Sequence, residues 1–329
     1  MFLKNYFTKL QIFLFLLTII IPTNIFAYSK EVILGGSNIG IEVKANGVIV
    51  VGFYEVNGTF PGKESSLQIG DKIIKINDNN VTLISDLAKA INDDKTIDIT
   101  YIRNNKEYNT SLTMYLDSDN VYKTGLLVKD SILGIGTLTF VDFNNNYKFA
   151  ALGHEIIEKT TGSKFEISTG SIFKSDVTGI DKATRVDPGS KNANYFKDNY
   201  FGSIEKNEIT GIFGTYEDRA SLDVRKIKIA ESNEINTGEA TIRTVISGDT
   251  IEEFKINILK INSSSDTKNI LFSVTDERLL NITGGIVQGM SGSPIIQNDK
   301  LIGAVTHVLS DDPTKGFGIF ITSMLKEIE

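Results

Sequence analysis

Cysteine and tryptophan are absent from this chain of 329 residues, and histidine occurs only twice, at His154 and His307. Without cysteine the chain can form no disulfide, no all-cysteine zinc site, no iron–sulfur cluster and no thiol nucleophile. Any imidazole base must be one of the two histidines. No second histidine follows His154 four residues on, as a helical zinc motif requires. We therefore predict a protein without a metal or an organic cofactor.

The charge balance and the N-terminal segment indicate where the protein works. Acidic residues outnumber basic residues by 41 to 34, and the net charge of −7 argues against a nucleic-acid partner. Residues 1–27 contain two lysines, then an almost wholly apolar run over residues 10–21, and then Pro22. This layout is typical of a secretory signal, and the run is short for a membrane span. We expect an exported protein whose first 27 residues are a signal peptide or remain as a membrane anchor.

The first predicted folded unit covers residues 33–115. β-Rich or alternating segments predict four strands, at residues 48–51, 72–77, 96–102 and 108–114. A short helix is predicted at residues 86–92, with Ser85 as its capping residue. The segment LQIGDKIIKIN at residues 67–77, with the Asp86-Leu87 pair that follows, resembles the PDZ domains of bacterial exported proteases. The resemblance implies a peptide-binding PDZ domain with one or two short helices.

A PDZ domain binds an extended peptide as an added strand, and backbone N–H groups hold the terminal carboxylate. By resemblance, the loop GGSNIG is the carboxylate cradle, with Gly35, Gly36, Ile39 and Gly40 as peptide-binding residues. Its glycines can adopt the positive φ angles that such a cradle needs. A glycine-containing turn without a ligand is the alternative. The expected ligand is a peptide, which can come from the chain itself.

The second part of the chain, residues 125–329, is rich in short β-like segments separated by Gly, Asn, Asp or Ser clusters. Few of its segments show a helical pattern. This organisation favours an all-β sandwich or barrel. The polar stretches at residues 191–199 and 262–269 are predicted to be loops.

The strongest local motif is GMSGSP at residues 289–294, which leads into an apolar segment. Gly-x-Ser-Gly-x-Pro resembles the nucleophile loop of trypsin-like serine proteases. In such a loop Ser291 is the nucleophile, and the N–H groups of Gly289 and Ser291 form an oxyanion hole. A plain β-turn is the alternative reading of Gly-Ser-Gly-Ser. Ser293 is a rival nucleophile, but it lies beyond the turn that sets the oxyanion geometry.

A serine nucleophile needs a base, and the chain offers two imidazoles. His154 follows an apolar segment and precedes the serine in the chain, as the base does in trypsin-like enzymes. His307 lies on the predicted strand after the nucleophile loop, where a histidine is more often packed than catalytic. We therefore predict His154 as the base.

Longer motifs extend the resemblance: ALGHEI, TGIFGTY, SVTDERLLNITGGIVQGMSGSPIIQNDKLIGAVTHV and DDPTKGFGIFI. They resemble the SpoIVB family of sporulation serine peptidases. The resemblance implies a mainly β protein with an N-terminal PDZ domain and a trypsin-like β-barrel peptidase domain at residues 116–329. It also implies His154, Asp276 and Ser291 as catalytic residues. The residues alone leave a second role open for Asp276, as the cap of a short helix at residues 277–281.

Family resemblance further implies a biological role. Members of this family are exported into the space between the two forespore membranes, where they cleave themselves. They also cleave a membrane-bound regulator of an intramembrane metalloprotease, which then activates a sigma factor. We expect this chain to act in the same way on protein or peptide substrates. A non-catalytic PDZ adaptor that regulates a membrane protease by binding is the alternative, and the intact His, Asp and Ser set favours the enzyme.

Overall fold

The structure, a computed structural model, describes residues 28–91 and 95–329. The predicted export segment, residues 1–27, lies outside the described residues and stays a prediction. Among the described residues, no helix is long and apolar enough to cross a membrane. The described chain consists of long strands with a few short helices, which confirms the mainly β prediction.

The first part of the chain builds the PDZ region. Its strands are β1 (Glu31–Leu34), β2 (Asn38–Phe53), β3 (Lys72–Ile76), β4 (Asn79–Asn80), β5 (Thr96–Arg103), β6 (Lys106–Thr113), β7 (Tyr115–Leu116) and β8 (Tyr122–Lys123). Its helices are α1 (Pro61–Glu64) and α2 (Ile84–Ala90). All four strands predicted between residues 48 and 114 are present.

The remainder of the chain is dominated by strands. Its first half contains β9 (Leu126–Asp142), β10 (Lys148–Ala151), β11 (Ile157–Glu158), β12 (Ser163–Lys164), β13 (Thr169–Asp181), β14 (Ser190–Glu208) and β15 (Gly211–Tyr216). Its second half contains β16 (Lys226–Ile229), β17 (Gly238–Val245), β18 (Ile251–Ile261), β19 (Ile270–Val274), β20 (Pro294–Gln297), β21 (Lys300–Leu309) and β22 (Asp312–Phe320). The helices are α3 (Glu277–Thr283), α4 (Ile321–Leu325) and the 3-10 turns Arg219–Ser221 and Ser232–Glu234.

Two groups of paired strands form most of the peptidase part. The first group joins β2, β9, β10, β15, β14 and β13 through antiparallel pairs and encloses a core with Phe149, Phe165 and Ile212. The second group joins β17 to β22 and encloses Phe254 and Phe272. Strands β1 and β16 connect the groups, because β1 pairs with β9 and β16, and β16 pairs with β21. The active-site elements described below come from both groups.

The PDZ core starts later in the chain than the sequence indicated. Its buried apolar side chains run from Val48 to Leu126. Residues 31–44, by contrast, pair with β9, β13 and β16 of the peptidase part. Residues 31–44 thus pair with strands of the peptidase part, and the boundary of the PDZ domain at residue 33 stays a prediction.

The predicted loop at residues 191–199 is wrong, because these residues belong to the long strand β14. Most of their side chains are exposed, so this stretch lacks the buried alternation that marks a strand in a sequence. Its backbone is held by antiparallel pairing with β13. The predicted loop at residues 262–269 is confirmed, since it connects β18 to β19.

Candidate active site

The GMSGSP motif forms a tight loop between α3 and β20. Gly289 and Gly292 have φ angles of 96° and 91°, in the left-handed region that other residues rarely adopt. A Cβ atom on Gly292 would lie 2.1 Å from the carbonyl oxygen of Thr137, so only glycine fits there. Ser291 lies between the two glycines and its half-buried side chain lines a cavity.

Two fully buried threonines of β9 hold the carbonyl groups of this loop. The N–H of Thr137 donates to Ser291 O at 2.9 Å, and its hydroxyl donates to Gly289 O at 2.9 Å. The hydroxyl of Thr139 donates to Gly292 O at 2.8 Å. Satisfied hydrogen bonds in a buried setting favour a single conformation, so β9 fixes the shape of the loop.

The N–H groups of Gly289 and Ser291 are available to a ligand. Within the described ranges, neither group donates a hydrogen bond to the protein. The Gln288 carbonyl belongs to the same peptide unit as the Gly289 N–H, and it accepts from the Lys191 N–H at 2.9 Å. Because the C=O and N–H of a trans peptide point in opposite directions, this bond turns the Gly289 N–H away from Lys191. The pair of free donors fits the predicted oxyanion hole.

His154 follows the end of β10 and is positioned by a sharp turn. Leu152 and Gly153, with φ angles of 69° and 71°, turn the chain out of the strand. The ring Nδ1 of His154 lies 2.8 Å from the carbonyl oxygen of Glu155. Because a carbonyl can only accept, Nδ1 carries the proton and Nε2 keeps a free lone pair. Burial lowers the pKa of His154 below its usual range, so the ring is neutral at pH 7.

One cavity of about 380 Å³ is lined by His154, Ser291 and His307. The two imidazole rings are 5.2 Å apart between centroids and tilted by 43°. Partial desolvation in the cavity, together with the nearby His154, lowers the pKa of His307 to about 4, although part of this side chain is exposed. The Ser291 hydroxyl donates to the Thr306 carbonyl at 3.0 Å, so transfer of its proton to His154 requires a rotation of the serine side chain. The structure thus brings the predicted nucleophile and base to one cavity.

Asp276, the third residue implied by the resemblance, has other partners. Its carboxylate caps α3 by accepting from the Arg278 N–H at 3.0 Å, and it accepts from the Lys255 N–H at 3.2 Å. The Arg278 guanidinium binds the same carboxylate at 2.9 Å and lowers the pKa of Asp276 to about 2. Among the described residues, no hydrogen bond joins Asp276 to His154. The group that holds the imidazole is the Glu155 carbonyl, so the expected His–Asp contact does not form here.

Comparison with known families decides the class of this protein. The family model described as SpoIVB peptidase S55 matches residues 120–325, well over half of the chain. The chain belongs to the SpoIVB peptidase S55 family. A PDZ domain model matches residues 37–114, so this S55 peptidase is a serine peptidase preceded by a PDZ domain, in the predicted order.

Other comparisons add two solved structures. No curated protein sequence matches this S55 peptidase. The active form of the Rv3671c protease from M. tuberculosis is 13% identical, with a TM-score of 0.34, and the match covers 60% of this chain and 74% of that one. The inactive form of the Rv3671c protease is 12% identical, with a TM-score of 0.35, over 59% of this chain and 84% of that one.

The substitution Asp276→Asn tests which role this carboxylate has in the S55 peptidase. We expect the free energy of unfolding to fall by about 1–2 kcal/mol at pH 7, because the change removes the charge partner of Arg278 and the negative charge at the N-terminus of α3. The loss should disappear as the pH falls from about 4 to 2, where the wild-type carboxylate also becomes neutral. Urea unfolding at several pH values measures it. A fall of more than tenfold in fluorophosphonate labelling per folded molecule would instead assign Asp276 to catalysis.

The predicted carboxylate cradle lies inside the peptidase sheet. The N–H groups of Gly35 and Gly36 donate to carbonyl oxygens of β9, at 3.0 and 2.8 Å. Ile39 and Gly40 pair with β9 on one side and with β13 on the other. Because the Gly35 and Gly36 N–H groups are bonded to β9 and both edges of Ile39 and Gly40 are paired, these four residues have no N–H group to offer to a peptide carboxylate. The prediction of these four residues as peptide-binding is therefore wrong.

Lys191 is a residue of the site that sequence reasoning missed. It is buried, and its ammonium group donates to the Thr244 hydroxyl at 3.0 Å and approaches Asn38 Oδ1 at 3.5 Å. Its stem packs so closely on Gly289 that a Cβ atom there would lie 3.0 Å from Lys191 Cδ. Burial lowers the pKa of Lys191 to about 7. No sequence signal marks it, because it lies in a polar stretch like any exposed lysine.

Substitution of Lys191 by methionine should change how stability depends on pH. The pKa of Lys191 is about 7 in the folded chain, against 10.5 for a lysine exposed to water, as in the unfolded chain. The unfolded chain therefore binds more protons between these two pH values. The free energy of unfolding of wild type is therefore highest above about pH 10. It falls as the pH falls to 7, by at most about 1.4 kcal/mol per pH unit, because the buried amine resists protonation. Methionine keeps the stem and removes the amine. Urea unfolding should show wild type gaining stability over Lys191→Met from pH 7 to 10, and parallel profiles would contradict the assignment.

Proposed function

We propose that this S55 peptidase is an exported serine endopeptidase that cleaves itself and a membrane-bound regulator of an intramembrane metalloprotease. Through that cleavage it signals sigma-factor activation during sporulation, in the space between the forespore membranes. The observation that carries the catalytic proposal is the cavity that Ser291 and His154 share beside two free N–H groups. The family match and the predicted export segment support the biological part.

The geometry supports an acyl-enzyme mechanism. After its hydroxyl leaves the Thr306 carbonyl, Ser291 transfers its proton to Nε2 of His154 and attacks the scissile carbonyl. The oxygen that becomes negative binds the N–H groups of Gly289 and Ser291. The imidazolium then protonates the leaving amine, and a water molecule releases the acyl group by the reverse sequence of proton transfers. The Glu155 carbonyl holds the ring in the tautomer that this sequence needs.

The open edge of β9 beside the PDZ core offers a peptide a different site from the one predicted. Residues 126–135 of β9 pair with β2 on one edge, and within the described part of the chain no strand pairs with their other edge. Helix α2 contacts β9, and its Ile84 N–H donates to the Asp130 carboxylate at 2.9 Å. Leu127 and Leu133 on this strand are about half exposed. An extended peptide added between β9 and α2 would bind in the manner of PDZ ligands.

The substitution Leu133→Asp tests this edge. We expect it to weaken the binding of fluorescent peptides that correspond to the self-cleavage fragments of the chain, because a charge replaces an apolar contact on the open strand. Fluorescence anisotropy measures the change. Fluorophosphonate labelling of Ser291 should stay as in wild type, since β9 holds the nucleophile loop through residues further along the strand. Unchanged peptide affinity in the variant would exclude this edge.

Mass spectrometry of the purified chain, incubated alone, tests the proposed function. Wild type should generate new termini that are absent from a Ser291→Ala sample treated in the same way. Wild type added to the Ser291→Ala chain should generate the same termini, because the variant remains a substrate. Identical fragments in both separate samples would show that another protease makes the cuts, and an intact wild-type chain would exclude self-cleavage.

A further inference from the structure

The active-site cavity extends from the catalytic groups between two apolar walls. Ile286 and Val287, just before the nucleophile loop, form one wall and are almost fully buried. Val308 and Leu309 at the end of β21 and Pro313 on β22 form the other. A cavity of about 380 Å³ has room for one large side chain and the backbone next to it.

The two walls are fixed to each other. The N–H of Ile286 donates to the Pro313 carbonyl at 2.8 Å. A Cβ atom on Gly285 would lie 2.0 Å from the same carbonyl oxygen, so the backbones are in direct contact there. The cavity therefore exists before a substrate arrives, and its shape can select among side chains.

Charge is almost absent from the lining. The only ionisable side chains that the structure shows around the cavity are His154 and His307, and no Asp, Glu, Lys or Arg lines it. Both imidazoles have pKa values lowered by burial and are neutral at pH 7. A charged substrate side chain placed against Ile286, Val287 and Val308 would lose part of its hydration and find no opposite charge in the lining, which is unfavourable.

The edge of β21 beside Ser291 is open next to the cavity. The pairing of β20 with β21 ends at Ala304, and Ser293 and Gly292 then bind Val305 on that side. Within the described residues, no strand pairs with residues 306–309 on the side of Ser291. A substrate backbone can therefore extend along this edge, with the side chain nearest the attacked carbonyl directed between the two walls.

We infer that this cavity is the specificity pocket and that it takes a large uncharged apolar side chain, such as Leu, Met or Phe, from the residue whose carbonyl Ser291 attacks. This inference rests on the proposed peptidase mechanism. Val287 and Val308 are the specificity-determining residues, because they line the cavity from two different elements, the segment before the nucleophile loop and β21. Burial of an apolar side chain of this size favours it over a small one by about 10- to 200-fold.

The first test uses wild-type protein and a library of peptides that vary at the residue before the cut. We expect Leu, Met or Phe at that position to be cleaved at least tenfold faster than Asp, Glu, Lys or Arg. A fluorophosphonate is applied in parallel to report a working Ser291. Labelled protein that prefers a charged residue would overturn the inference, whereas absence of both labelling and cleavage would count against the proposed function itself.

The second test places a charge in one wall. Val308→Asp should raise cleavage after Lys and Arg by at least tenfold relative to cleavage after Leu, because the new carboxylate pairs with the substrate cation. Val308 is only half-buried, so the variant is expected to fold. Fluorophosphonate labelling of Ser291 is the check that it has folded. Val224→Asp, the same change at a valine that is 83% exposed and outside the cavity, is the matched control and should leave the preference unchanged. A labelled Val308→Asp protein with the wild-type preference would overturn the inference.

Discussion

Replacement of Ser291 by alanine should reduce peptide hydrolysis by about 10⁴-fold or more and abolish fluorophosphonate labelling. Ser291 carries the only hydroxyl in the nucleophile loop that lines the cavity with His154. Alanine cannot form the acyl-enzyme. The free N–H groups of the loop remain in the variant, and they alone accelerate hydrolysis only slightly. Gel-based labelling and hydrolysis of an optimised peptide both measure the loss.

Ser293→Ala is the matched control, since it removes a hydroxyl two residues away in the same motif. Ser293 is fully buried, and its hydroxyl lies 3.5 Å from that of Thr137, so it faces β9 rather than the cavity. Labelling of this variant should stay within tenfold of wild type. If Ser291→Ala is labelled as fast as wild type while Ser293→Ala is not, the nucleophile is Ser293.

Strands with one buried apolar face were predictable from the sequence, whereas the long polar strand β14 was not. β5 and β18 alternate apolar and polar residues because one face of each packs on a core. β14 exposes most of its side chains and is a strand because its backbone pairs with β13. Pairing of this kind leaves no hydrophobic pattern in the sequence, so composition alone indicated a loop.

Residues 35–40 show why a local motif can mislead. Their glycines and apolar residues resemble a PDZ cradle, and the glycines are needed, since a Cβ on Gly35 would lie 2.1 Å from the Leu138 carbonyl. The close neighbour is a strand of the same chain rather than a peptide ligand. Contacts between residues that are about one hundred positions apart decide this difference, and no local sequence pattern contains them.

Within the candidate site, residue type and spacing predicted Ser291, Gly289 and His154, and the structure places Ser291 and His154 at one cavity. Each has a local cause that a sequence records: a positive-φ glycine before the serine, or a histidine directly after an apolar strand. Asp276 shows the limit of this reasoning. An aspartate before a short helix serves equally well as a cap or as a partner of a base, and here its oxygens bind Arg278 and the Lys255 N–H.

His154→Ala should reduce hydrolysis by about 10⁴-fold, close to the effect of Ser291→Ala, because the serine hydroxyl is a poor nucleophile without a base. In wild type the acid limb of kcat/KM should lie below pH 6.5. The base must be neutral to accept a proton, and burial lowers the pKa of His154, so more of it stays neutral in acid. Stopped hydrolysis assays between pH 4 and 8 measure this limb. Near-full activity of His154→Ala would move the base to His307.

The neighbouring imidazole provides the matched variant. His307→Asn should retain activity within tenfold at pH 8, because the ring of His307 lies beside His154 and is not needed to accept the serine proton. Removal of the ring admits water to His154 and weakens the desolvation that lowers its pKa. The acid limb of the variant should therefore shift towards pH 6.5. A large loss of activity at pH 8, with no shift of the limb, would assign the proton transfer to His307 and leave His154 as its packing partner.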